Sequence, residues 1–239
     1  MLFRSHVPVV AAVSLLTLSL VSCSQSNTTA TSTFEGAAAE FDATITAVPD
    51  DYRARMIGVT WKPGCPVPID DMRIIEMNHH GFDGLIHDGG RLMVHEEVAE
   101  KVVDVFGAMF EAGFPIRRMV LMEEYGGDDD AAMAQDNTSA FDCRPVTGST
   151  DRYSIHSYGK AIDINTRENP YVHGETVLPP EGREFLDRTD VRPGMTTDGD
   201  VVWQAFADAG FVWGGDWIEL QDYQHFEDEA MTTRPRRGQ

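Results

Sequence analysis

Apolar residues recur at helical spacing in two segments of the chain. Residues 95–113 predict a helix that ends at Gly113, and residues 201–210 predict a shorter one capped by Asp198 or Asp200. Acidic residues fill the first turn of the longer helix, which suits the positive end of its dipole. Its apolar face consists of Val98, Val102, Val105, Phe106, Met109 and Phe110.

Short apolar runs around these helices predict strands. Residues 82–95 hold two such runs around Asp88-Gly89, which predicts a hairpin turn there because these residues tolerate positive φ. Residues 114–122 predict a buried strand, and residues 211–217 predict a strand followed by a glycine turn. This mixture predicts an α+β fold, a small antiparallel sheet with helices packed on one side.

The first 22 residues have the layout of a secretory signal peptide. One early cation, Arg4, precedes an uncharged apolar stretch from Val7 to Val21, which is short for a membrane span of about 20 residues. The segment ends in LVSC, which resembles the bacterial lipobox, so we expect a lipoprotein with Cys23 as its lipidation site. An ordinary secretory signal cleaved nearby is the alternative. Lipidation would leave an exported protein anchored to the outer face of the bacterial cell membrane.

Composition divides the rest of the chain into three parts. Residues 23–49 are rich in Ser, Thr and Ala and predict a flexible tether. Residues 50–229 predict one globular domain. Residues 230–239 form a polar tail with three arginines, which we expect to be frayed.

The net charge of the chain limits the classes of partner that we expect. The chain has 19 basic and 39 acidic residues, a net charge of −20 at pH 7. Because nucleic-acid recognition starts from basic patches, no nucleic-acid partner is expected. The same charge disfavours adsorption to anionic lipid, so we expect membrane contact only through the N-terminal lipid.

Two further cysteines, Cys65 and Cys143, remain once Cys23 is assigned to lipid. An even pair in an exported chain predicts a disulfide. A role as thiolate metal ligands is the alternative, but neither cysteine has a partner at CxxC spacing.

The segment AIDIN, residues 161–165, combines core and site positions. Alternation along a strand puts Ile162 and Ile164 on one face and Asp163 on the other, with Ala161 and Asn165. The isoleucines can enter the core while the aspartate faces a cleft.

A histidine upstream completes part of a metal site. His156 lies seven residues before Asp163, beyond Gly159, where the chain can bend. Transition-metal sites usually need three protein ligands, and His225 in DYQHFE is the natural third, with Asp222 three residues before it.

These two motifs resemble those of the M15 zinc peptidases. SIHSYGKAIDIN matches SxHxxGxAxD and DYQHFE matches the second motif of this family of D-alanyl-D-alanine carboxypeptidases and L-alanyl-D-glutamate endopeptidases. The resemblance extends over most of residues 60–228 and implies a hedgehog/DD-peptidase-like fold. It also implies one Zn2+ per chain bound by His156, Asp163 and His225, with Asp222 as the catalytic carboxylate.

The implied activity is metal-dependent hydrolysis in peptidoglycan stem peptides. Zinc on three protein ligands keeps a position for water, and Asp222 would carry the proton from that water to the leaving amine. Release of the terminal D-alanine is the activity we expect. An L-alanyl-D-glutamate endopeptidase and a non-catalytic zinc-containing wall-binding module are the alternatives.

Three residues near the motifs are candidates for supporting roles. Ser154 and Glu227 flank the ligands and are expected to hydrogen-bond the imidazoles, with surface roles as the alternative. Arg144 is expected to bind the substrate carboxylate. The arginine that many family members carry in a strand-turn motif before the first histidine has no counterpart, because the matching stretch reads MEEYGG.

Two other polar clusters are assigned to structure. His79 and His80 lie beside Gly81 and Asp83, where turn formation accounts for them better than a second metal site. The run Asp128–Asp130 lacks the spacing of a calcium-binding loop and is expected to be solvated.

Overall fold

The computed structural model of the protein describes residues 40–146, 149 and 152–237. The predicted signal peptide, the lipidation site Cys23 and the first part of the predicted tether lie outside these residues. Among the helices of the described part, none is long and apolar enough to cross a bilayer.

The described residues fold into four α-helices and nine short strands. The helices are α1 (Asp50–Met56), α2 (Glu96–Glu111), α3 (Asp129–Ala134) and α4 (Val201–Asp208). The strands are β1 (Ala43–Ala47), β2 (Met72–His80), β3 (Ile86–His95), β4 (Ala161–Asp163), β5 (Tyr171–His173), β6 (Thr176–Leu178), β7 (Phe211–Trp213), β8 (Gln221–Asp222) and β9 (His225–Asp228).

The strands pair antiparallel in three sheets, ordered β1-β2-β3, β4-β9-β7 and β6-β5-β8. The α+β class is therefore confirmed, although the strands are divided among three small sheets rather than one.

The main core lies between α2, α4 and the sheets. All six apolar side chains predicted for the inner face of α2 are buried, and Gly113 follows the helix with a φ of +66°. Asp200 caps α4 with its side chain. Phe206 of α4 stacks on Phe226 of β9 with ring centroids 3.9 Å apart. This contact ties the helix to the strand that begins at His225.

The hairpin turn lies elsewhere than predicted. The chain reverses between β2 and β3, where Gly81 N–H donates to the carbonyl of Leu85 at 2.8 Å. Strand β3 runs through Asp88 and Gly89, where its register against β2 shifts. The φ of +75° at Gly89 accompanies this bulge, so the positive φ that suggested a turn belongs to a strand irregularity.

The segment 114–122 is not a regular strand. It is held by isolated bridges, including one from Pro115 to β2. Proline has no backbone N–H and cannot extend a ladder. The predicted burial nevertheless holds for Ile116, Met119 and Leu121.

The folded domain begins earlier than residue 50. Strand β1 pairs with β2 from Ala43 opposite Met77 to Ala47 opposite Arg73. Phe41 packs on Phe110 with ring centroids 5.6 Å apart. The predicted tether 23–49 was thus too long at its C-terminal end, because an edge strand this short and exposed carries little apolar signal.

The polar tail is docked rather than frayed as far as it is described, to residue 237. Arg237 N–H donates to the carbonyl of Asp216 at 2.9 Å, and Ile218 N–H donates to that of Pro235 at 3.3 Å. These main-chain bonds are invisible in a polar composition, which is why the sequence predicted a loose end.

A disulfide joins Cys65 to Cys143, whose Cα atoms lie 6.0 Å apart. It links the loop after α1 to the segment that leads into the first metal-site motif, so the predicted pairing is confirmed.

We expect the double variant Cys65→Ala, Cys143→Ala to lose about 2–5 kcal/mol of unfolding free energy, because the bridge closes a long loop in the unfolded chain. Urea unfolding under non-reducing conditions measures this. Wild-type protein treated with reductant should match the variant. Equal midpoints and slopes for variant and untreated wild type would contradict the prediction.

Candidate active site

A short turn delivers His156 to the cleft. The 3-10 turn Ile155–Tyr158 ends at Gly159, which has a φ of +65°. A Cβ at Gly159 would lie 2.7 Å from the backbone nitrogen of His95. Only glycine allows both this φ and this close approach. The glycine of the first motif therefore forms the bend that orients the His156 imidazole toward the cleft.

Asp163 and His225 face each other across two neighbouring strands. They are register partners in the β4–β9 pair. Ile162 and Ile164 are fully buried in the core on the opposite side, as strand alternation predicted. Partners across a strand pair project on the same face, which places the carboxylate beside the second imidazole.

The three side chains converge on one point. His156 Nε2 lies 3.2 Å from His225 Nδ1 and 3.2 Å from Asp163 Oδ2, and His225 Nδ1 lies 3.1 Å from Asp163 Oδ1. All three residues are buried. They are the one group in the described residues whose His, Cys, Asp or Glu atoms are arranged to hold a metal ion.

The outer hydrogen bonds of the imidazoles decide which nitrogen faces inward. His156 Nδ1 lies 2.6 Å from the carbonyl oxygen of Ala140, and His225 Nε2 lies 3.2 Å from Glu227 Oε2. Because both partners are acceptors, these nitrogens are the N–H donors. When both rings are neutral, each turns a lone pair toward the Asp163 carboxylate, and such a donor set can hold a cation at its centre. Two imidazoles and a carboxylate suit zinc.

The electrostatics of the site also favour positive charge. Burial would raise the pKa of Asp163, but His156 and His225 outweigh it and hold that pKa below its usual range. Burial would lower the pKa of His225, but hydrogen bonds to Asp163 and Glu227 raise it to about 10. Asp163 is thus held as an anion whose charge is balanced within the site either by a proton on His225 or by a metal ion.

Asp222 lies on the same cleft and is unlike the other carboxylates. It sits on β8 opposite Tyr171 of β5. Its Oδ1 is buried without a hydrogen-bond partner in the described residues. Burial raises the pKa of Asp222 to about 6, with His225 opposing the rise and Asp163 adding to it. A carboxylate with an unused acceptor and a pKa near neutrality can take up a proton.

Gly214 allows β8 and β9 to approach the turn that follows β7. A Cβ at this position would lie 2.6 Å from the carbonyl oxygen of Asp222 and 3.3 Å from His225 Cβ. The first glycine of WGGDW is therefore required for close packing against both site residues.

Replacing Gly214 by alanine should weaken metal binding about 10-fold or more, the cost of disturbing the groups that orient a ligand. Competition with a chromophoric chelator measures the affinity. The matched control is Gly107→Ala in α2, where the added methyl meets only the ring of Phe41 at 3.3–3.4 Å. Unchanged affinity in Gly214→Ala would show that the strands can shift without moving His225.

The two residues predicted to support the imidazoles differ in outcome. Glu227 contacts the ring of His225, as predicted. Ser154 does not contact a ring: its Oγ accepts from the backbone N–H of His156 at 3.4 Å. The prediction for Ser154 was wrong because the hydroxyl caps the 3-10 turn, and the carbonyl of Ala140 takes the place expected for it.

Arg144 lines the cleft, but acidic side chains already surround it. Its Nη2 lies 2.7 Å from Asp129 Oδ2 and its Nε lies 3.4 Å from Asp142 Oδ2. Its contact with a substrate carboxylate stays a prediction.

The acidic run is not simply solvated. Asp128 caps α3 by accepting from Ala131 N–H at 3.0 Å, while Asp129 turns into the cleft. Burial raises the pKa of Asp129, and Arg144 opposes this. A uniform run of three aspartates carries no sign that one of them faces a site.

The cluster around Gly81 is a turn, as predicted. Asp83 Oδ1 accepts from Leu85 N–H at 3.1 Å and lies 3.0 Å from His87 Nε2. Its partner His87, rather than His80, was missed from the sequence.

Several cleft residues were missed by sequence reasoning. They are Tyr171, Gln224 and Arg234. Of these residues, Arg234 could have been found from the sequence, because three arginines follow the second motif closely in a strongly acidic chain.

Comparison with known proteins bears on the same segment. Residues 147–228 match the family model described as D-alanyl-D-alanine carboxypeptidase, a model of M15 peptidases. No curated protein and no solved structure shows significant similarity to the chain. The match is narrower than the region 60–228 of the expected resemblance, but it contains the three metal-site residues and Asp222. The segment 147–228 is therefore similar to the M15 peptidases.

Proposed function

We propose that this protein is a zinc-dependent carboxypeptidase that releases the terminal D-alanine from peptidoglycan stem peptides. One observation carries the proposal. Within the segment matched by the family, His156, Asp163 and His225 present three inward donor atoms while Asp222 lies on the same cleft with an unpartnered oxygen.

Each residue has a distinct role in this proposal. His156, Asp163 and His225 hold the zinc ion, which when bound activates water and polarises the peptide carbonyl. Asp222 accepts a proton from the attacking water and returns it to the leaving amine. Ala140 and Glu227 fix the ring orientations through their hydrogen bonds, and so keep the lone pairs inward.

The expected location is compatible with this substrate. The LVSC sequence supports export and attachment by a lipid at Cys23, and the residues before the folded domain would hold the cleft away from the membrane. Cell-wall stem peptides lie in the space that such an anchored domain reaches.

The test is product identification with zinc-loaded protein and a synthetic stem pentapeptide ending in D-alanyl-D-alanine. Free D-alanine and the tetrapeptide are the expected products. Cleavage between L-alanine and D-glutamate would assign the endopeptidase activity instead. Zinc and peptide binding without any cleavage would leave a wall-binding module and overturn the proposal.

A further inference from the structure

Arg234 in the C-terminal tail lines the cleft and forms no ion pair within the described residues. We propose that its guanidinium binds the C-terminal carboxylate of the substrate and makes the enzyme selective for a free chain end. The inference rests on the proposed carboxypeptidase function and identifies the residue that binds the C-terminal end of the substrate peptide.

The position of Arg234 is set by two rings. Its guanidinium carbon lies 4.7 Å from the centroid of the Trp217 ring, and that ring lies 5.3 Å from the ring of His225. Trp217 is itself held by an isolated bridge between its backbone and that of Arg236. The cation–π contact thus links a tail arginine, through Trp217, to the metal-site histidine.

Arg234 lines the cleft together with Tyr171, Asp222 and Glu227. Burial and Asp222 raise the pKa of Tyr171, and Arg234 opposes this rise. Tyr171 and Asp222 are register partners, so the charge of Arg234 is felt at the strand pair that carries the proposed base. A carboxylate bound to Arg234 would therefore lie in the cleft that also holds Asp222.

The charge of Arg234 is available, whereas that of Arg144 is not. Arg144 has Asp129 and Asp142 as partners. In the tail, Arg236 pairs with Glu229 at 3.0 Å and Arg237 lies 3.8 Å from Asp216. Within the described residues no ion pair involves Arg234, and the nearby Glu227 carboxylate is already engaged by His225.

The acidic side chains that line the cleft favour a cation as the group that binds a substrate carboxylate. Besides the metal-site carboxylate, it is lined by Asp129, Asp222 and Glu227, and the whole chain carries a net charge of −20. An incoming carboxylate is repelled by this field unless a cation meets it, and an arginine can do so with two parallel hydrogen bonds.

The experiment compares a stem pentapeptide that has a free C-terminal carboxylate with the same peptide as its carboxamide. Arg234→Gln keeps a polar side chain but shortens it and removes the charge, so we expect KM for the free carboxylate to rise about 10- to 100-fold with little change in kcat. KM for the carboxamide should not change. Arg234→Lys should recover part of the preference, and Arg236→Gln is the matched control that keeps it.

Binding separates this inference from the proposed function. In the Asp222→Asn background, calorimetry gives the ratio of Kd values for the two peptides without turnover. Loss of the carboxylate preference in Arg234→Gln supports the inference even if D-alanine is not the product. Wild-type protein that binds both peptides equally, or a preference abolished by Arg144→Gln and kept by Arg234→Gln, overturns it.

Discussion

Asp222→Asn should lower kcat by about 100- to 10,000-fold, the usual contribution of a general acid–base group, while one zinc ion stays bound per chain. The amide keeps the shape of the carboxylate but cannot accept the proton. The three metal-site residues contact one another and their outer partners without Asp222, so the metal should remain.

Metal analysis beside steady-state kinetics on the stem pentapeptide separates these two effects. Asp208→Asn serves as the control, because this carboxylate lies on α4 and accepts from Gln204 Nε2 at 2.8 Å, outside the cleft. Normal turnover in Asp222→Asn would remove Asp222 from the mechanism. Loss of zinc would make it part of the metal site instead.

The pH dependence of wild-type protein tests the same group. Burial raises the pKa of Asp222 to about 6, and only the ionised carboxylate can act as a base. Activity should therefore be present above this pKa and fall as pH decreases through it. A nearby divalent cation moves the acid limb to lower pH. This limb should disappear from the residual activity of Asp222→Asn, and its persistence there would assign it to another group.

Asp163→Asn should weaken zinc binding more than about 100-fold. Loss of a residue that only hydrogen-bonds a metal ligand costs up to about 100-fold in affinity, and Asp163 is proposed as a ligand itself. Asp163 is the single carboxylate at the centre and contacts both imidazoles. Asparagine replaces the anionic oxygen by a neutral group and removes the charge that balances a divalent cation. Dialysed protein should then contain almost no zinc and show no turnover.

The control for Asp163→Asn must be another buried carboxylate. Asp136 is 1% exposed, accepts from Arg167 N–H at 2.8 Å and pairs with Arg117 at 3.1 Å. Asp136→Asn should reduce stability and leave zinc stoichiometry at one per chain. If Asp163→Asn bound zinc as tightly as Asp136→Asn, the convergence of the two histidines and the carboxylate would not be a metal site.

The C-terminal tail forms part of the wall of the cleft. The tail was expected to be frayed, yet its backbone bonds to the segment after β7 and it adds Arg234 to the cleft. The metal-site residues all precede it in the chain. The proposed recognition of the substrate end and the proposed chemistry thus come from different parts of the sequence.

The sequence predicted a structural feature correctly where that feature depends on the residues of one short segment. The apolar face of α2 follows from helical spacing, and the burial of Ile162 and Ile164 beside Asp163 follows from strand alternation. Motif spacing identified His156 and His225 before their distance was known. The disulfide followed from an even number of cysteines once Cys23 was assigned to lipid.

Tertiary packing decided whatever depends on residues far apart in the chain. Gly89 was read as a turn, but pairing with β2 makes it part of a bulge. Ser154 lies beside His156 in sequence, yet Ala140, sixteen positions away, accepts from the ring. Asp129 was expected to be solvated, but in the fold it is paired with Arg144.

The sequence by itself therefore determined the fold class and the buried faces, because spacing and side-chain chemistry are local properties. The resemblance of its two motifs to those of the M15 peptidases implied the three residues that could hold a metal. The tertiary structure alone decided which nitrogens face inward, where the charge of each arginine is used and that the tail closes on the cleft. Those outcomes depend on distances between distant segments, and a hydrogen bond or an ion pair exists only within a few ångströms.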